Sequence, residues 1–214
     1  MADEAAVHVI DDDEAVRHSL AFLFESAGIP VRLYESAVSF LAVAGSLRTG
    51  CILTDVRMPD IDGLTLQRKL IEMGIRLPVI VMTGHGDVPV AVQALKAGAA
   101  DFIEKPFDDE ALLAAVRSAL EASRRMRERE AEMEDIASRL ASLTPRERQV
   151  LDRLVAGQPN KTIAYDLGTS PRTVEVHRAR VMEKMGARSL SELVRMALSV
   201  GAEGEPRGPD TSSR

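Results

Sequence analysis

The sequence predicts two domains: an α/β domain with a doubly wound parallel sheet of five βα units, then an all-α four-helix domain containing a helix-turn-helix. Three observations carry this. The 214 residues exceed the usual length of one domain. Over residues 1–123, short apolar runs alternate with stretches of helical period. From Leu143 the pattern changes to short helices with explicit start signals. The expected divisions are an α/β domain over 1–123, a helical linker over 124–140, the helix-turn-helix domain over 141–201 and a disordered tail over 202–214, rich in Gly, Pro and Ser.

The α/β elements follow in order. Val7–Ile10, Val31–Tyr34, Cys51–Thr54, Val79–Met82 and Asp101–Ile103 are each short and apolar enough to be buried strands. Between them, Ala15–Ala27 places Val16, Leu20, Leu23 and Phe24 on one side, and Ser36–Ala44, Leu64–Met73, Val88–Lys96 and the stretch from Asp108 complete the alternation. Residues 107–144 contain neither proline nor glycine, which allows a long helix. Leu112, Val116, Ala119, Ser123, Met126, Glu130, Met133, Ala137 and Leu140 alternate steps of four and three, but Ser123 and Glu130 interrupt the seam. A weak coiled coil and a charged, solvated or partly flexible linker are both compatible with this spacing.

Composition narrows the class. Hydrophobic residues at 45% and charged residues at 28% mark a globular chain, and with no Trp its cores must be aliphatic. The net charge of −6 averages two unlike halves: 19 acidic and 10 basic residues over 1–123, against 14 acidic and 17 basic over 124–214. The basic second half fits a polyanionic partner. The lone Cys51 excludes a disulfide framework, which fits a reducing cytoplasm. No basic segment followed by an apolar stretch opens the chain and no run of about 18 apolar residues occurs, so neither a signal peptide nor membrane attachment is expected.

In a doubly wound sheet, ligands bind beyond the carboxyl ends of the strands, where strand order reverses. Those ends here carry Asp11-Asp12-Asp13, Asp55, Thr83 and Glu104-Lys105-Pro106. Alone, the acidic triplet reads equally well as a solvated turn that caps the next helix, and Asp55 as a turn residue. Together they predict a pocket of carboxylates, a hydroxyl and an ammonium. Clustered carboxylates repel unless a cation is present, and oxygen donors suit Mg²⁺ better than zinc.

Residues 7 to about 120 resemble a receiver domain of two-component signalling: the acidic cluster, Asp55 followed by Met58-Pro59-Asp60, Thr83-Gly84, Phe102 and Lys105-Pro106-Phe107 stand in that family's order and spacing. The resemblance implies that Asp55 is the phosphoacceptor. It also implies that Asp12, Asp55 and the Arg57 carbonyl ligate Mg²⁺, with Asp11 assisting through water. Thr83 and Lys105 would contact the incoming phosphoryl oxygens, and the Lys105–Pro106 bond would be cis. Thr83 and Phe102 would act as a switch coupling the pocket to a homodimer face formed by helix 88–97, strand 101–103 and helix 108–123. Asp13 departs from the glutamate more usual at the third acidic position.

In the second domain, Thr144-Pro145-Arg146-Glu147 combines an N-cap, a proline at the first helical position and a glutamate three residues on. Val150, Leu151, Leu154 and Val155 form that helix's apolar face before Gly157. Asn160 is expected to cap a helix over 161–167, Gly168-Thr169-Ser170 to form a turn, Ser170-Pro171 to open a third helix to about Met185, and 190–200 to form a fourth. Such turns also occur in proteins that never touch DNA. Here the third helix carries Arg172, His177, Arg178, Arg180 and Lys184, a basic density that packing alone does not account for.

Leu143–Glu147, Asn160-Lys161, Ser170–Val174, His177 and Lys184-Met185 resemble the LuxR-type DNA-binding domain. A helix entering the major groove reads bases with exposed residues and anchors on phosphates with flanking ones. Glu175, Val176 and Ala179 are expected to face bases. Lys161, Arg172, Thr173, His177, Arg178, Arg180 and Lys184 are expected to meet phosphates or a mixture. With both resemblances, the chain is identified as a response regulator of the NarL/FixJ family, a non-enzymatic regulator that accepts a phosphoryl group. The implied partners are a sensor histidine kinase, promoter DNA, RNA polymerase and a second copy of the chain. The strings Thr83–Pro89, Asp101–Phe107 and Pro171–Ala179 point within that family to activators of nitrogen-fixation or microaerobic genes. The alternatives are a regulator of another pathway and a phosphate-sink relay that binds no DNA.

Overall fold

The computed structural model describes residues 5–84 and 88–201, so His85-Gly86-Asp87 and the tail expected over 202–214 lie outside the described residues. The chain forms two compact units, residues 1–128 and 129–214.

In the first unit, β1 (Val7–Ile10), β2 (Val31–Tyr34), β3 (Cys51–Asp55), β4 (Val79–Thr83) and β5 (Asp101–Glu104) form one sheet in the order β2-β1-β3-β4-β5. Every pairing is parallel. Strand order reverses between β1 and β3, which sets the crevice beside Asp11 and Asp55. Alternation along β1 sends Val7 and Val9 to one face and Ile10 to the other. The first face packs on α1 (Glu14–Ser26) and the start of α5 (Asp109–Ala141) through Leu20, Phe24, Leu112 and Val116. The second packs on α2 (Ala37–Ala44), α3 (Gly63–Glu72) and α4 (Val88–Lys96) through Phe40, Leu66, Leu70 and Ala94.

Only β1, β3 and β4 are buried throughout; β2 and β5 are partly exposed. The expectation of five buried strands is corrected because these two are the sheet's edges, where a strand has one covered flank. Asp13 caps α1 by accepting from the Ala15 and Val16 amides, and Ser36 and Asp62 cap α2 and α3.

Helix α5 is continuous from Asp109 to Ala141. Its apolar positions serve two separate cores: Leu112, Val116 and Ala119 join the first, Ile136 and Leu140 the second. The apparent flaw in the seam, Ser123, is buried and accepts a 3.2 Å hydrogen bond from the Gly50 amide. Met126 is exposed and Ala137 faces solvent, with Ile136 turned inward instead.

The second unit holds the end of α5 with α6 (Pro145–Val155), α7 (Asn160–Asp166), α8 (Pro171–Met185) and α9 (Leu190–Gly201) around Val150, Leu151, Leu154, Ile163, Val174, Val181, Met185 and Leu193. A full capping box opens α6. Asn160 does not cap α7: the cap is Pro159, whose extended backbone lets its carbonyl accept from the Thr162 and Ile163 amides. Gly168, at φ 61°, makes the turn into α8. Among the described residues no helix is long and apolar enough to cross a membrane.

Candidate functional sites

The carboxyl ends of β1, β3 and β4 present Asp11, Asp55 and Thr83, all nearly buried, and Lys105 follows β5. The Lys105 Nζ donates to Asp11 Oδ2 at 2.8 Å and to Asp55 Oδ1 at 2.6 Å. Burial of this ammonium lowers its affinity for the proton, but the hydrogen bonds and charges of Asp11 and Asp55 more than offset that and hold its pKa above the ordinary lysine value. The ammonium is therefore a fixed positive charge between two carboxylates.

Backbone amides orient the carboxylates further. Asp55 Oδ2 accepts from the Arg57 amide at 2.6 Å, and Asp11 Oδ1 from the Asp13 amide at 2.9 Å. Asp12 is exposed at the rim, and the Lys105–Pro106 bond is cis. The Thr83 hydroxyl lies 3.4 Å from the Gly84 carbonyl, while Phe102 stands 40% exposed on the edge strand. Both readings of the acidic triplet hold for different members, since Asp13 caps α1 and Asp11 faces the pocket.

Two contributors escaped the sequence reading. Arg17 donates from Nη1 to the carbonyls of Asp11 at 2.7 Å and Asp12 at 3.0 Å, fixing the loop that aims Asp11 inward. Gly63 opens α3 with its amide on the Val56 carbonyl, and a Cβ there would collide with the Asp55 carbonyl oxygen. A glycine directly after the capping Asp62, where better helix formers abound, was the available signal for the second.

The donor set fits a hard divalent cation. Asp11 and Asp55 share one ammonium, so their oxygens already converge, and the Arg57 amide orients the other Asp55 oxygen. Among the described residues the acidic and histidine side chains form no ready-made group of three around one point. Asp55 and the acidic loop after β1, with backbone and water oxygens, are the donors available to such a cation.

Helix α8 is capped by Ser170, which accepts from the Thr173 amide at 3.1 Å, and buries Val174, Val181 and Met185. Arg172, Thr173, Glu175, Val176, Ala179 and Arg180 are exposed, as is Lys161 on α7, whereas His177 and Arg178 are half-buried. Lys184 is exposed as well, and its ammonium is bound to Glu147 Oε2 at 2.7 Å and to the Ser142 carbonyl at 3.1 Å, so it also ties α8 to α6. Tyr165, one turn beyond Lys161 on α7, is 87% exposed and was missed, because nothing in its local pattern separates it from a core aromatic.

Residues 7–117 match the family model of the response regulator receiver domain, and residues 141–197 match that of the bacterial regulatory proteins of the luxR family. The transcriptional regulatory protein FixJ of Azorhizobium caulinodans is 59% identical over 94% of this chain and 95% of its own length. Among solved structures, the response regulator StyR superposes with a TM-score of 0.83 at 38% identity, covering 92% of this chain and 99% of that one. Full-length FixJ from B. japonicum gives a TM-score of 0.58 at 50% identity over 94% of this chain and 99% of that one. The pocket between β1, β3, β4 and Lys105 and the helix-turn-helix ending in α8 thus stand in one chain, and it belongs to the FixJ-like response regulators, which join a receiver domain to a LuxR-type DNA-binding domain.

Proposed function

We propose that this chain takes a phosphoryl group on Asp55 from a sensor histidine kinase and responds by pairing with a second copy and binding promoter DNA. The observation that carries the reading is Lys105 bridging Asp11 and Asp55 at the reversal of strand order. An Asp55 oxygen attacks phosphorus in line as the bond to the kinase histidine breaks. Lys105 supplies positive charge where the phosphoryl oxygens gather negative charge, and the Thr83 hydroxyl turns to donate to one of them. When bound, Mg²⁺ would be held by Asp12, Asp55 and the Arg57 carbonyl, with Asp11 assisting through water, and would add charge neutralisation.

Movement of Thr83 leaves space into which Phe102 turns, reshaping the face formed by helix 88–97, strand 101–103 and helix 108–123 for a homodimer. In the second domain, Glu175, Val176 and Ala179 face bases, with Glu175 able to accept from a cytosine amino group. Arg172, Thr173, His177, Arg178, Arg180, Lys184 and Lys161 supply phosphate or mixed contacts. The dimer engages RNA polymerase to activate transcription in the cytoplasm, and the FixJ relatives point to nitrogen-fixation or microaerobic genes.

The test uses the full chain, Mg²⁺ and acetyl phosphate, with intact mass and sedimentation as readouts. Wild type is expected to gain one phosphoryl group and to dimerise, and Asp55→Asn to do neither. An Asp55→Asn protein that dimerised and activated transcription fully on kinase stimulation would overturn the proposal.

A further inference from the structure

The end of α5 does more than reach the second unit, because one of its side chains holds the carboxyl end of α8. Arg139 donates from Nη1 to the Met185 carbonyl at 2.8 Å. Met185 is the last residue of α8, where carbonyls lack intrahelical partners and the helix dipole is negative, so a guanidinium there satisfies both. Asp135, one turn earlier on α5, takes the other nitrogen, Nη2, at 2.8 Å and fixes the fork. Gly186 follows Met185 in the left-handed region at φ 66°, and a Cβ there would run into Arg139 Nη1. The space beside the helix end is filled by the guanidinium.

Neighbouring contacts make the attachment rigid. Ile136 and Leu140, flanking Arg139 on the same helix, are buried in the core that also holds Val181 and Met185. Lys184, in the same last turn of α8, reaches the Ser142 carbonyl just past the end of α5. The last turn of α8 is therefore gripped twice from α5 and its exit, and every member lies within the second unit.

We propose that Arg139 is a positioning residue for DNA reading: anchored by Asp135, it fixes the carboxyl end of α8 and thereby sets the pose in which that helix meets base edges. This rests on the DNA-reading role of α8 given above. Base-edge contacts depend on placement within a fraction of an ångström, whereas contacts of flexible arginines with phosphates tolerate a shifted helix. Loss of the strut should therefore cost sequence preference more than general affinity for DNA.

The experiment compares full-length wild type, Arg139→Met, Arg139→Lys and Asp135→Asn, each treated with acetyl phosphate and Mg²⁺. Binding is measured by fluorescence anisotropy to a duplex that wild type selects from a random library and to a scrambled duplex of equal length. Arg139→Met is expected to bind the selected duplex about tenfold more weakly, the effect of losing one charge-assisted hydrogen bond. On the scrambled duplex it should stay within about twofold of wild type, because no phosphate contact is removed. Arg139→Lys should recover part of the loss. Asp135→Asn keeps the arginine charge and should show about a threefold loss on the selected duplex alone.

Undiminished binding of Arg139→Met to the selected duplex overturns the inference, as does an equal loss on both duplexes, which would mark Arg139 as a phosphate contact. If Arg139→Met does not fold, Asp135→Asn decides, and equal affinities for wild type and Asp135→Asn overturn the inference. Failure of wild type to prefer any duplex would overturn the DNA-reading role itself and the inference with it.

Discussion

At the scale of single residues, the pocket is organised by close approach as much as by charge. Lys105 sits between two carboxylates that would repel each other without it. Because its pKa is raised, its contribution to stability is complete below the ordinary lysine value and disappears only as pH climbs through the higher folded value. The bridge therefore stays intact across the neutral range. Gly63 supplies the close approach, bringing the start of α3 against the backbone of Asp55. Gly63→Ala must push α3 or β3 aside, which is expected to cost about 1–3 kcal/mol, as overpacking does. Its displacement falls on the phosphoacceptor, so urea stability and acetyl-phosphate labelling should drop together. Gly45→Ala is the control, since a methyl there meets open space and the backbone is right-handed helical; neither quantity should fall.

At the scale of elements, the ion pair between α6 and α8 illustrates what could and could not be read in advance. Thr144-Pro145-Arg146-Glu147 spells a capping box in sequence because every partner lies within three residues, and the structure contains it. The same glutamate's bond to Lys184 was not legible, because it depends on where the end of α8 lands beside α6. The strand ends were legible for the opposite reason: parallel βα units place every carboxyl end on one side, which brought Asp11, Asp55, Thr83 and Lys105 together without any knowledge of packing. The seam along α5 failed differently, since a step of three or four residues looks the same against a second helix as against two unrelated cores. A pH dependence follows from the Glu147 bond. The Lys184 ammonium and the Thr144 amide pull the Glu147 carboxyl down to about 2 from its usual 4.5. A depressed acid stabilises the fold above its unfolded pKa and loses that stabilisation as pH falls through the folded value. Resistance of the second unit to urea, followed by helical circular dichroism, should therefore weaken between pH 4.5 and about 2. Glu147→Gln should be less stable at pH 6 and markedly less pH-dependent over that window; an unchanged acid profile would detach Glu147 from the effect.

At the scale of the whole molecule, the chain is two cores sharing one helix, and sequence boundaries do not coincide with core boundaries. The luxR-family match begins at residue 141, and residues 124–140 read as linker from their charge and lack of proline or glycine. Yet Ile136 and Leu140 are 5% and 7% exposed inside the second core, and Arg139 satisfies the end of α8. A core is defined by what is buried, and two buried side chains outweigh any number of solvated charges between them. Removing a buried leucine or isoleucine typically costs about 2–5 kcal/mol, while a whole domain is stable by only about 5–15 kcal/mol. A fragment starting at residue 141 loses both side chains and the arginine bond, which together approach the domain's entire stability. A fragment starting at residue 129 keeps all three. The longer fragment is expected to unfold cooperatively in urea, and the shorter to be largely unfolded or to show a much lower midpoint. Equal midpoints for the two would mean that α6 to α9 alone enclose the core, and the last turns of α5 would return to being a tether.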